Sequence, residues 1–221
     1  MGRVLIIGAS GGIGAALSVV YSNNGDEVVG LSRSMDGFDI TDEARVRAQL
    51  LALSGNFDTI LCATGQLAVA GRRPEKALGA LDAASMVDLF KTNAVGPALI
   101  LKHTKHLLPR NRPVRFGILS ARVGSIGDNQ LGGWYSYRAS KAALNQLVRC
   151  AAIEIARTHK QVVICALHPG TVATSFTQEY QSRHPTSTPL NAAIEIRNTL
   201  EGLPPAETGS FWDYRGNRVP W

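Results

Sequence analysis

Three groups of residues in this chain have the types and spacing for chemistry. Tyr137 and Lys141 stand four apart in the stretch GGWYSYRASKAALN, residues 132–145, and residues four apart share one face of a helix. A phenol ionises near pH ~10 and a neighbouring ammonium stabilises its anion, so such a pair can exchange a proton with a carbonyl or hydroxyl oxygen. Tyr135 has Ala139 at the same offset, which leaves it a pocket wall or a core aromatic. The second group is Gly8-Ala-Ser-Gly-Gly-Ile-Gly14, set between an apolar run and a segment whose residues Ile13, Leu17 and Val20 share a helical face. Glycines there let the backbone turn sharply and approach a pyrophosphate at a helix N-terminus. Their spacing, G-x-x-x-G-x-G, departs from the G-x-G-x-x-G fingerprint. The third group is Leu31-Ser-Arg-Ser34, which carries no acid for a ribose 2′-hydroxyl but offers the Arg33 guanidinium to a 2′-phosphate.

The elements that must hold these groups are legible from periodicity. Short apolar runs (RVLIIG, DEVVGLS, FDTILCA, VRFGILS, QVVICALHPG and GSFWDY) alternate with longer segments of helical period. The fold class expected is α/β, a single doubly wound Rossmann-type domain over residues 1–221, with about seven parallel strands and helices on both faces. The clearest helix starts at Tyr137 and carries the stripe Leu144, Leu147, Val148, Ala151, Ala152 and Ile155. A second helical stretch covers roughly 82–108, with Pro97 removing one backbone hydrogen bond and loosening it. Thr188 and Pro189 read as N-cap and first position of a last helix. The irregular stretch 175–187 before it is the best candidate for a mobile loop.

The chain has 221 residues, enough to bury about 70% of the surface its unfolded form exposes. Three cysteines at wide spacings support neither a disulfide framework nor a zinc site and read as buried thiols in a reducing, cytoplasmic setting. No signal peptide or membrane span is evident. The net charge of +6 is spread along the chain, so it fits a solvated face or attraction for a phosphorylated cofactor rather than nucleic acid. His103 and His106 find no further metal ligand nearby and read as solvated helix residues, His168 reads as structural, and no G-x-S-x-G elbow is present.

In order along the chain, GASGGIG at 8–14, Asp39-Ile40, Cys62-Ala-Thr-Gly65, Asn93-Ala-Val-Gly96, Tyr137-x-x-x-Lys141 and Pro169-Gly-Thr-Val-x-Thr174 resemble the short-chain dehydrogenase/reductase family over nearly the whole length. The closing G-x-F-W-D-Y-x-G-x-x-x-P-W and the GGWYSYRASKAALN stretch look most like its subgroup around the cell-signalling C-factor proteins. The resemblance implies an oxidoreductase of carbonyl reductase or alcohol dehydrogenase type. Tyr137 would be its acid/base, Lys141 its ribose clamp and pKa modifier, and Asn93 the holder of a water. It implies a cofactor site made of Gly8, Ser10, Gly12, Ile13, Gly14, Arg33, Asp39, Ile40, Ala63, Thr64, Gly65, Pro169, Gly170, Val172 and Thr174, together with Tyr137 and Lys141. Arg33 makes NADP(H) the expected cofactor over NAD(H). Asp39 would accept from the adenine amino group after a third strand, though only five residues separate it from Arg33, too few for a full crossover helix.

One member of the family pattern is missing. The family's Ser-Ser-x-x-Gly reads Ser120-Ala-Arg-Val-Gly124 here, so Ala121 occupies the place of the serine that polarises substrate. Ser120 is the first replacement, Ser125 the second, and the third possibility is that no serine assists. Trp134, Tyr135, Arg122 and the loop 175–187 would shape the pocket for a small carbonyl or alcohol. The family's dimers and tetramers use the two long helices, here around 84–108 and 137–157. The alternative reading is a nucleotide-binding signalling or regulatory protein with little turnover.

Overall fold

The computed structural model describes residues 1–178 and 186–221. Among these residues six strands form one sheet: β1 (Arg3–Ile7), β2 (Glu27–Leu31), β3 (Thr59–Cys62), β4 (Val114–Leu119), β5 (Val162–His168) and β6 (Phe211–Asp213), in the order β2-β1-β3-β4-β5-β6. Every pairing is parallel. Such a sheet needs apolar cover on both faces, and alternate strand residues supply it. Leu5, Ile7, Ile60, Phe116, Ile118 and Ile164 pack with α3 (Glu43–Ala52), α5 (Gly96–Thr104) and α6 (Tyr135–Ile155). Val4, Ile6, Leu61, Val163 and Leu167 pack with α1 (Gly12–Asn23) and α7 (Pro189–Gly202). The chain leaves β1 toward β2 and returns for β3 on β1's other side, so a crevice opens beyond the strand ends at this reversal.

The strand count is one below the expected figure, and the reason lies in 32–42. Ser32 caps a single helical turn, α2 (Arg33–Asp36), by accepting from the Met35 amide at 3.3 Å. Gly37, at φ 65°, ends that turn in the left-handed region. Asp39 then accepts from the amide and hydroxyl of Thr41 at 2.9 and 2.7 Å, and Asp42 caps α3. A parallel neighbour for β2 would need a crossover of about a dozen residues, so no strand precedes Asp39 and β2 remains the sheet's edge.

The stretch 82–108 is likewise not one helix. α4 (Ala83–Phe90) passes through a π-helical turn, Lys91–Val95, into α5 and then a 3₁₀ turn, Lys105–Leu107. Gly96 N donates to Lys91 O five residues back, and Pro97, without an N–H, cannot bond the Asn93 carbonyl four residues back. Helix α6 starts two residues before Tyr137. The last helix starts as expected, with Thr188 accepting from the Asn191 amide and Pro189 first in the helix. Cys62 and Cys165 are buried while Cys150 is exposed, which corrects the expectation of three buried thiols; it lies on the outer side of α6, off the apolar stripe. Among the described residues no helix is long and apolar enough to cross a membrane, and no group of three or more potential ligands could hold a metal ion.

Candidate active site and cofactor cleft

The glycine loop closes on itself so tightly that a side chain would not fit. A Cβ on Gly14 would lie 2.1 Å from Gly8 O, and one on Gly12 would lie 2.5 Å from Thr174 Cγ2. Among the described residues no side chain caps the first turn of α1, so no side-chain oxygen competes for its N-terminal amides. That arrangement fits a pyrophosphate, which the helix N-terminus would favour. Ser10 is exposed at the tip of the loop and Ile13 is half-buried behind it. Thr174 meets the loop from the segment after β5, where Gly170, at φ 77°, packs on Tyr214 and Val172 is buried. The structure therefore brings the 8–14 and 169–174 segments together.

Beyond β2, Arg33 is exposed in α2, and the Ser32 hydroxyl is occupied as its cap. Asp39 is half-buried, and the Thr41 hydroxyl and amide hold its carboxyl below the usual carboxylate range. The carboxylate is thus an ionised acceptor, partly engaged by its own turn. Ile40 is buried beneath Gly96, where any Cβ would collide with its side chain at 2.7 Å.

The central constellation sits at the C-terminal ends of β3 and β4. Lys141 is 3% exposed, and its Nζ donates to Leu119 O at 3.0 Å. Burial pushes its ammonium down to about 8, against a smaller opposing pull from Cys62. Tyr137 is also buried, and desolvation raises its phenol above the ordinary range. The sequence leads one to expect the ammonium to lower that phenol, whereas burial governs it in the structure. Asn93, fully buried in the π turn, accepts from Gln66 N at 2.7 Å and donates to Gln66 O at 2.8 Å and to Ser140 Oγ at 3.0 Å. Ser140 in turn donates to Tyr137 O at 2.8 Å. Gly65 completes the cluster: a Cβ there would stand 3.3 Å from Lys141 Nζ and 3.5 Å from Asn93 Oδ1. Beside it, Thr64 Oγ1 lies 3.3 Å from Cys62 Sγ, and Ala63 N donates to Ile7 O.

The candidate serines have other partners. Ser120 Oγ donates to Asn145 Oδ1 at 2.6 Å, one turn beyond Lys141 on α6. Ser125 Oγ accepts from Asp128 N at 3.1 Å, and Arg122 pairs with Asp128 at 2.6 Å. The expectation that Ser120 presents its hydroxyl proton to substrate therefore meets a competing buried acceptor. Ala121 is 8% exposed.

Aromatic rings frame Tyr137. Trp134 packs edge-on at 6.2 Å and Phe176 is tilted at 6.3 Å, and Tyr135 is half-buried. A cleft of about 310 Å³ runs from Gly65 along residues 66–74 to Ser175 and Phe176. Residues 179–185 of the expected substrate loop lie outside the described residues. His168, half-buried at the end of β5 with its pKa lowered to about 4 by desolvation, packs edge-on against Tyr214. Sequence reasoning missed Gln66, Ser140, Asn145 and Glu75, the last of which bonds the start of α6. Helical spacing could have found Ser140, three residues after Tyr137, and Asn145, four after Lys141; no local signal points to Gln66 or Glu75.

The family model described as short chain dehydrogenase matches residues 3–185. The chain is 30% identical over 236 aligned residues to 1-hydroxy-2-glutathionyl-2-methyl-3-butene dehydrogenase of Rhodococcus sp. strain AD45, with 100% of each covered. It is 38% identical over 151 residues to C-signal of Myxococcus xanthus, covering 66% of this chain and 84% of that protein. A Burkholderia multivorans protein solved with bound NADP has a TM-score of 0.80 at 26% identity, covering 100% of this chain and 99% of that one.

Proposed function

Because the chain belongs to the short-chain dehydrogenase family, we propose that it is an NADPH-dependent oxidoreductase of carbonyl reductase type, with Tyr137 as the proton donor. The observation that carries this is the buried pair of Tyr137 and Lys141 one helical turn apart, joined through Ser140 to Asn93. The bound nicotinamide would supply hydride to the substrate carbon. Burial keeps the Tyr137 phenol protonated at neutral pH, so it arrives ready to give a proton to the carbonyl oxygen. Lys141, near its own titration point at about 8, can hold or release the proton that replaces it, and would grip the ribose hydroxyls. Pro97 removes the i+4 donor from the Asn93 carbonyl, which would let that oxygen hold a water linking Lys141 to solvent. The uncapped start of α1 would hold the pyrophosphate. Arg33 and the absence of an acid at the end of β2 favour a 2′-phosphate, in keeping with the NADP bound by the Burkholderia relative.

Val87, Val95 and Ile153 leave large apolar side chains exposed on α4, the π turn and α6, which supports a homodimer or homotetramer through these helices. A second reading, a nucleotide-binding regulator with little turnover, draws on Ala121, on the engaged Ser120 hydroxyl and on the likeness to C-signal.

Fluorescence titration of NADPH and NADH, followed by an aldehyde and ketone screen with wild type, Tyr137→Phe and Ala121→Ser, separates the two. Turnover by wild type that Tyr137→Phe abolishes supports the reductase. Tight cofactor binding without turnover, with activity created by Ala121→Ser, supports the regulator. If neither cofactor binds, both readings fail.

A further inference from the structure

We propose that Glu75 is a positioning residue for Tyr137, acting as the missing N-terminal cap of α6 from a distant loop. The inference rests on the reading of Tyr137 as proton donor. Helix α6 begins badly on its own account. Its approach, Gly132, Gly133 and Trp134, has φ values of 61°, 64° and 50°, three consecutive left-handed residues, and Trp134 as N-cap supplies no side-chain oxygen. Left-handed backbone is costly for a tryptophan and persists only where neighbours over-determine it.

Two residues do so. From within the helix, Arg138 Nε donates to Gly132 O at 3.1 Å and to Gly133 O at 3.0 Å. From outside, Glu75 O accepts from Trp134 N, and the Glu75 carboxylate accepts from Ser136 N at 3.3 Å and from the Ser136 hydroxyl. Ser136 is fully buried, and Pro74, next to Glu75, is buried too, so this contact is anchored on both sides. The carboxylate's charge lies where the helix dipole favours it. Glu75 thereby holds Trp134, whose ring packs on Tyr137, and Ser136, the residue before Tyr137. It fixes the rotation of the first turn and with it the direction of the phenol. Glu75 follows directly on residues 65–74, which wall the 310 Å³ cleft, so cleft wall and proton donor share one anchor.

The test uses Glu75→Ala, Glu75→Gln and Tyr137→Phe in the full chain, with NADPH affinity, hydrogen exchange of residues 134–137 and kcat and KM for the best aldehyde of a screen. In Glu75→Ala, exchange at 134–137 should quicken about tenfold and kcat fall about tenfold to a hundredfold, while the NADPH Kd stays within about twofold. Glu75→Gln keeps an oxygen for Ser136 and should recover most of the kcat. Unchanged kcat in Glu75→Ala overturns the proposal, as does a loss of NADPH affinity in proportion to kcat. If Glu75→Ala does not fold, the decision passes to Glu75→Gln, where a kcat as low as that of an unfolded control overturns it. Activity retained by Tyr137→Phe, or none in wild type, fails the underlying reading and this inference with it; Tyr137→Phe dead with Glu75→Ala intact fails this inference alone.

Discussion

The carboxamide of Asn93 pairs with both backbone groups of Gln66, its oxygen 2.7 Å from the amide nitrogen and its nitrogen 2.8 Å from the carbonyl oxygen. One side chain on the π turn thus substitutes for a strand partner at the point where the chain leaves β3. Asn93→Ala would strip Gln66 and Ser140 of buried partners and should cost about 2–4 kcal/mol of stability. It should also weaken NADPH binding, because Gly65 loses its neighbour. Thermal unfolding and fluorescence titration measure the two effects. A variant as stable as wild type would contradict the account of Asn93 as a clamp.

Lys141 holds a charge in a site that disfavours it. Its folded pKa of about 8 lies below the unfolded value of 10.5. The resulting penalty is present in full below pH 8 and is relieved as pH rises from about 8 to 10.5, where the unfolded chain binds the extra proton. Lys141→Met removes a penalty on the order of 3 kcal/mol and forfeits the bond to Leu119 O, worth about 1 kcal/mol. The variant should therefore be inactive yet at least as stable as wild type at pH 7, with the advantage shrinking above pH 8. Denaturant melts across that range would refute this by showing a pH-independent difference.

On the proposed reading, Arg33→Asp reverses the charge offered to a 2′-phosphate and supplies an acceptor for a 2′-hydroxyl. The ratio of NADPH to NADH affinity should fall by about a hundredfold or more, from loss of a charge-assisted contact and gain of a repulsive one. An unchanged ratio in competition titrations would place nucleotide selection elsewhere.

Ser120→Ala leaves Asn145 Oδ1 buried without its donor, so about 1–2 kcal/mol of stability should be lost. If the hydroxyl only braces α6 against β4, kcat should drop by less than about tenfold, well short of the loss on removing an oxyanion-type donor. A thousandfold drop would return Ser120 to the role of substrate polariser.

What could be read from the sequence depended on distance along the chain. Apolar runs located all six strands, because a parallel sheet buried on both faces demands them. Tyr137 with Lys141, and Thr188 with Pro189, were legible because helical spacing and capping are local rules. The strand before Asp39 came from a family pattern that this chain is too short between Arg33 and Asp39 to follow. The contacts that hold the site, Asn93 with Gln66, Ser120 with Asn145 and Glu75 with Ser136, span 27, 25 and 61 residues. No periodicity encodes a pairing of that kind; it exists only once the sheet has set its strand ends side by side.

The single turn α2 contributes no buried residue to either face of the sheet. Where a longer crossover would tie the segment after β2 to the packing beneath it, here the turn that carries Arg33 hangs off the sheet's edge as a detachable trim. On the proposed reading of Arg33, selection can revise which dinucleotide the protein prefers by altering a few exposed positions, with little penalty to folding. Stability and cofactor choice can therefore drift independently among descendants of this chain.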